Sequence, residues 1–383
     1  MSSRFLIPLL FICFYFSSNA QDEEGKTPYE FTSIVDLEHT HIKNQGASGT
    51  CWCYSANSFL ESEMQRMGKP FVDLSEMFVV RNTYISKADR YVRMHGSLNF
   101  GQGGALTDVL DMYREYGAVP QSVYSGLEYG TKVNRHGEMD GMLKAMLDVV
   151  ISNKNKKLTP KWKEAFTSVL DVYLGKGISS FVYRGQTYTP KSFAEEVVGI
   201  QPDDYVQLTS WTHHEFYKPM VIMVPDNWNY GISYNIPMDD MTVVVDHALK
   251  KGYTVSFAVD VSEKYFSWKD GVAVLPPKPM SELSKEEHLE FLGSPSDEMV
   301  VDQEMRQMAY DNYSTTDDHG MHIVGLSKDQ NGKEYYLVKN SWDTKNIYEG
   351  YIYISKSYFK YKTIAFLLHK NAIPTSIRQQ LKL

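Results

Sequence analysis

The stretch Lys43-Asn44-Gln45-Gly46-Ala47-Ser48-Gly49-Thr50-Cys51-Trp52-Cys53-Tyr54-Ser55 decides how the rest of the chain is read. Gly46 and Gly49 make its first half a loop, and Thr50 stands where a helix N-cap would. Phe59, Leu60, Met64 and Met67 then recur at helical spacing until Gly68, so a helix is expected to start at Cys51. A thiol in the first helical turn faces unsatisfied N–H groups and the positive end of the macrodipole, which favours the thiolate. Thiolate is the attacking species in acyl transfer, so Cys51 is a candidate nucleophile. The blander fate of a free cysteine, packing as a small hydrophobe, suits Cys53 better.

The wider composition narrows the class. The chain has 383 residues, 39 Lys and Arg against 47 Asp and Glu, and a formal charge of −8. An acidic balance argues against a nucleic-acid partner, which would want a basic face. Three cysteines exclude a disulfide-built scaffold. Residues 1–20 read as a secretory signal peptide: Arg4, an apolar run from Phe5 to Phe16, then Ser18-Asn19-Ala20 as a cleavage site. A lipoprotein anchor at Cys13 is disfavoured, because Phe11 and Ile12 stand where small residues are wanted. The protein is thus expected to be exported, periplasmic or secreted, and to keep only Cys51 and Cys53. One residue apart, those two cannot readily bridge each other.

With Gln45 six residues ahead of Cys51, and Ser48-Gly49-Thr50-Cys51-Trp52 matching a Cys-Gly-Ser-Cys-Trp pattern, the loop resembles the nucleophile loop of the papain superfamily of cysteine peptidases. The departure at Ser48 removes a disulfide partner and no catalytic group. The resemblance extends to Asp318-His319-Gly320-Met321-His322-Ile323-Val324-Gly325, where His319 stands six before Gly325, and to Asn340-Ser341-Trp342 after the strand-like run from Tyr335. It implies Cys51 as nucleophile, His319 as its base, Asn340 as the group orienting the ring, Gln45 as an oxyanion donor, and Trp342 as a shield over the His–Asn bond. His322 is the rival base, but three residues on along a strand it would face the other way. Asp343 replaces the family's glycine after Trp342, which bears on the local turn. Gly101-Gln102-Gly103-Gly104-Ala105 resembles the family's glycine stretch that pairs with an extended substrate; the same glycines could simply precede a helix. Gly103, Gly104, Trp342 and Asp318 are the substrate-binding candidates.

The fold expected from the resemblance is α+β, a papain-like two-subdomain fold with a helical half and an antiparallel β-barrel half. Cys51 and His319 are 268 residues apart, against about 130–150 in papain-like enzymes. A mostly helical insertion is therefore expected at 131–241, between a helical half at 21–130 and a barrel half at 242–369, with 370–383 as a tail. Helices are expected over Met142–Asn153, Lys161–Leu174 and Pro190–Val198, and strands over Tyr253–Asp260, Gly271–Leu275 and Ile364–His369. Long insertions are similar to those of the bleomycin hydrolase and aminopeptidase C branch, which implies an aminopeptidase acting on peptide substrates. In that branch the C-terminal arm enters the groove and its carboxylate meets the substrate's amino group; the tail here is long enough to reach it. Relatives there often form hexamers, so a homo-oligomer is possible on resemblance alone. An exported endopeptidase, an acyltransferase and an idle peptide-binding protein remain as alternatives. No cofactor is implied. His213-His214-Glu215 and His39-x-His41 lack a third convergent ligand and are not expected to hold a metal.

Overall fold

The computed structural model describes residues 28–155 and 157–383; the expected signal segment and Cys13 lie outside them. In chain order the main elements are β1 (Thr32–Asp36), α1 (Cys51–Arg66), α2 (Glu76–Arg93), α3 (Leu106–Tyr116), α4 (Gly137–Ile151), α5 (Lys161–Leu174), β2 (Phe181–Tyr183), β3 (Gln186–Tyr188), α6 (Pro190–Phe193), β4 (Tyr205–Thr209), β5 (Pro219–Val221), β6 (Ile232–Asn235), α7 (Met238–Lys250), β7 (Val255–Val259), β8 (Phe266–Ser267), β9 (Val272–Ala273), α8 (Lys285–Gly293), α9 (Gln303–Asp311), β10 (His319–Lys328), β11 (Glu334–Lys339), β12 (Tyr351–Ser355), α10 (Lys356–Lys362), β13 (Thr363–His369) and α11 (Thr375–Leu381).

The principal sheet runs β5-β6-β4-β13-β7-β10-β11-β12-β9-β8, with β1 pairing to β10. Most pairs are antiparallel; β4 with β6 and β9 with β12 are parallel. β7 and β13 are apolar along nearly their whole length, as strands covered on both faces should be. The mixed α+β architecture matches the two-subdomain expectation.

α1 joins the halves. A surface helix buries one stripe, whereas α1 is buried all round, from Trp52 to Met64. Its polar residues therefore need partners inside. Ser55 Oγ donates to the Met321 carbonyl at 2.6 Å, and Ser58 Oγ lies 2.9 Å from His322 Nδ1. The next helix, α2, starts at a working N-cap: Ser75 Oγ accepts from the Phe78 N–H at 3.1 Å. Thr50 does not do the same for α1. Its hydroxyl is taken by Ser48 Oγ at 2.6 Å, so the side-chain cap expected there is absent.

Residues 131–241 contain α4 and α5 but also β2 to β6. Met139, Leu143, Phe166 and Phe193 share one apolar core with Phe59, Met77 and Leu110 of the helical half, while β4, β5 and β6 extend the principal sheet. The stretch is woven into both halves. The residues from Lys370 on form a 3-10 turn and then α11, with Ile377 and Leu381 buried against the barrel-side core and the Ala372 carbonyl 2.8 Å from His247 Nδ1 on α7.

Candidate active site

The nucleophile loop is tied from within. Ser48 Oγ donates to the Gln45 carbonyl at 2.7 Å, and Gln45 Nε2 returns a bond to the Ser48 carbonyl at 2.7 Å. A reciprocal pair of hydrogen bonds thus closes the loop at the position where the papain pattern has a disulfide cysteine. The stalk below is held by Lys43, whose ammonium meets Asp73 at 2.5 Å, Glu76 at 2.6 Å and Glu61 at 3.3 Å. From the other side Gln102 clamps the loop: its Oε1 accepts from the Gly49 N–H at 2.8 Å, and its carbonyl accepts from Trp52 Nε1 at 3.1 Å. Nothing in the sequence around Gln102 beyond its glycine neighbours signals that role.

Cys51 opens α1 at the floor of a cleft that His319 and Gly320 also line. Close approach of β10 to α1 explains the glycine. A Cβ added at Gly320 would stand 3.1 Å from the Trp52 Cα and 3.2 Å from the Cys51 carbonyl carbon, so a side chain there would force β10 and α1 apart by a few tenths of an ångström.

His319 is buried and its Nε2 lies 2.7 Å from Asn340 Oδ1. The orientation of that amide is fixed, because Oδ1 also accepts from the Ser341 N–H at 2.7 Å. Oδ1 can only accept, so Nε2 carries the proton and Nδ1 is left as the basic nitrogen. The Trp342 ring lies 4.5 Å from the imidazole, centroid to centroid, over this bond. Gln45 Oε1 accepts from Ser341 Oγ at 2.7 Å, which ties the Asn-Ser-Trp turn back to the nucleophile loop. Asp343 takes φ 65°, so it keeps the left-handed backbone that a glycine would supply. Its carboxylate stabilises the turn by accepting from the Lys345 N–H at 2.9 Å, as an Asp in this region can. His322 sits on the opposite face of β10, away from the cleft, bonded to Ser58 and close to Lys339.

Burial acts on both members of the proposed Cys51–His319 pair. Desolvation pushes the Cys51 thiol up to about 12; the backbone N–H groups of Gly320 and Trp52 oppose it, while Asp317 and Asp226 add to it. Desolvation also pushes His319 down to about 4, against the pull of Asn340 and Asp318. Both shifts have one cause, the cost of a lone charge in a dry pocket. Each shift is that of one charge alone in the pocket; a thiolate and an imidazolium formed together offset one another's desolvation.

Three carboxylates border the cleft. Asp318 has its oxygens engaged by Thr316 Oγ1 at 2.6 Å and the Ser262 N–H at 3.3 Å. Asp317 and Asp226 were not among the residues the sequence singled out for the site. Gly104 lines the cleft; Gly103 does not, because the Asp226 carboxylate packs on it, 2.0 Å from where a Cβ would stand. No residue of 370–383 lines the cleft.

Known proteins agree with this architecture. The model of the Peptidase C1-like family matches residues 181–383, which include His319 and Asn340. Aminopeptidase C of Streptococcus thermophilus is 22% identical over 92% of this chain and 85% of its own length. Mitochondrial cysteine proteinase 1 of Saccharomyces cerevisiae is 21% identical over 91% of this chain and 78% of its own. Among solved structures, PepW of Lactobacillus rhamnosis HN001 superposes with a TM-score of 0.71 at 18% identity, covering 92% of this chain and 84% of that one. The family match spans more than half of the chain and takes in both His319 and its Asn340 partner, so the protein belongs to the Peptidase C1-like family.

Proposed function

We propose that the protein is a cysteine aminopeptidase in which Cys51 attacks a peptide carbonyl, His319 moves the proton and Asn340 holds the ring. The observation that carries the reading is the His319 Nε2–Asn340 Oδ1 bond of 2.7 Å in the cleft floored by Cys51. That bond frees Nδ1 to take the thiol proton. The resulting thiolate and imidazolium offset each other's desolvation, and the thiolate is the species that attacks the carbonyl. The Cys51 N–H and the second amide proton of Gln45 serve the oxyanion; the first proton is spent on Ser48. His319 then protonates the leaving amine. It next takes a proton from water, which attacks the thioester carbonyl and releases Cys51. The aminopeptidase assignment draws on the relatives named aminopeptidase C, G, W and E.

The test uses unblocked aminoacyl-coumarin substrates. Cys51→Ala is expected to abolish release of the coumarin. Cys53→Ala, at a buried sulfur directed at the Glu76 carbonyl, is expected to keep most of it. Equal loss in both variants would overturn the assignment. The apolar leader at residues 1–20 further supports export, which N-terminal mass determination of the protein from its native host would decide.

A further inference from the structure

We propose that Asp226 and Asp317 form the anchor for the substrate's free α-ammonium group, so that the enzyme measures its cut from the amino end of the peptide. This rests on the aminopeptidase reading and names the residues that would impose it.

The first observation is one of shape. The strip Gly103-Gly104 could pair with an extended peptide, but only Gly104 is open to the cleft. Asp226 covers Gly103 and is held there by Asn99 Nδ2, 3.1 Å from its Oδ1. A bound chain running along the strip meets a carboxylate where the next residue would go. The cleft therefore ends at this point, and a peptide must end there too.

The second observation is one of charge. Asp317 comes from a different segment, pinned beside the cleft by the Thr316 N–H bond to Asp260 Oδ2 at 2.9 Å. Its two chain neighbours spend their polar groups on Asp260, Ser262 and each other, while Asp317 itself has no hydrogen bond or ion pair among the described residues. Among the described residues, no cationic side chain lies within 4.0 Å of either carboxylate. Lys87, the nearest source of positive potential for Asp226, gives its ammonium protons to the carbonyls of Gly101, at 3.0 Å, and Gly103. Burial, and then the like charges of Asp226 and Asp318, push Asp317 up to about 7, while burial raises Asp226 against the pull of Lys87. A cation placed between them relieves that repulsion and lets both ionise. An α-ammonium brings three donors on a compact charge, which suits two carboxylates arriving from different sides. A peptide's carboxylate end would meet like charge. Ile222, Val224 and Ala365 line the same cleft and suit an apolar first side chain.

The experiment compares leucyl-aminocoumarin with N-acetyl-leucyl-aminocoumarin in the full-length wild-type chain and in Asp226→Asn and Asp317→Asn. The readout is the ratio of kcat/KM for the two substrates in one preparation, which cancels any difference in folded fraction. The wild type is expected to favour the free amine. Each variant is expected to lose about 10- to 100-fold on the unblocked substrate, chiefly through KM, with no loss on the blocked one. The ratio should therefore collapse toward one, and Asp226→Glu should recover part of it. An unchanged ratio in both Asn variants overturns the anchor while leaving the aminopeptidase reading intact. A wild type that cleaves the blocked substrate at least as well as the free one overturns both, and a wild type inactive on either substrate sinks the peptidase reading itself.

Discussion

His136 shows how a single buried side chain outside the chemistry can make stability depend on pH. Its backbone N–H donates to the Ala47 carbonyl at 3.1 Å, so it braces the loop that carries Cys51. The ring is completely buried with neither nitrogen hydrogen-bonded, and desolvation pushes its pKa down to about 4. The folded state refuses a proton that the unfolded chain accepts near pH 6.5, so this contribution to stability is present above that pH and lost as pH falls toward 4. Between pH 7 and 4.5 the wild type should lose about 2–3 kcal/mol more than His136→Leu, read from urea midpoints at the two pH values. Residues of this kind leave no trace in a sequence. Gln45, Cys51, His319 and Asn340 were legible because their neighbours are local: Gln45 to Cys51 and His319 to Gly325 are fixed short spacings. Asp226 and Asp317 were not, because folding alone brings them to one cleft, and Asp317 lies just ahead of the run that carries the pattern. The side-chain cap expected of Thr50 failed for a similar reason, since Ser48 competes for its hydroxyl.

At the level of elements, boundaries were readable where backbone chemistry marks them. α5 occupies Lys161–Leu174 as expected, between Pro160 and a Gly175 at φ 94°. Pro190–Val198 was expected as one helix and is instead α6 followed by a π-helical turn over Ala194–Val198. β9 is only Val272–Ala273, shorter than the strand expected from Gly271 to Leu275, because it is paired over just two residues on either side. The strands β4 and β6 escaped notice, since their parallel pairing depends on tertiary placement. Arg306 on α9 ties several of these elements together. It is fully buried and donates to the carbonyls of Ser210 at 2.9 Å, Lys360 at 2.7 Å and Thr363 at 2.5 Å, with Trp211 stacked 4.1 Å away. Burial lowers its pKa to about 9, so it remains charged near neutrality. Arg306→Met would fill the space but orphan three carbonyls, and should cost about 3–5 kcal/mol in urea unfolding. Because Thr363 begins the strand that places Ile364 and Ala365 in the cleft, KM for unblocked substrates should rise in the same variant.

For the molecule as a whole, the position of the last helix separates two kinds of contribution to function. α11 contributes Ile377 and Leu381 to the barrel-side core and nothing to the cleft. Removing residues 375–383 should lower stability by about 2–4 kcal/mol, the burial of two aliphatic side chains less the entropy regained. The preference for free over acetylated amino termini should persist in the surviving folded enzyme; its loss would assign the restriction to the tail. β13 carries a different kind of weight. It lies between β4 and β7 in the middle of the sheet, pairing Phe366 with Leu208 on one side and Phe257 on the other. Since it follows every other described strand in the sequence, the growing chain must hold two half-sheets with open edges until it arrives. Such edges invite pairing with other chains. Assembly of this peptidase is therefore a race between closing its own sheet and aggregating, and the cleft wall at Ile364 and Ala365 is completed only when that race is won.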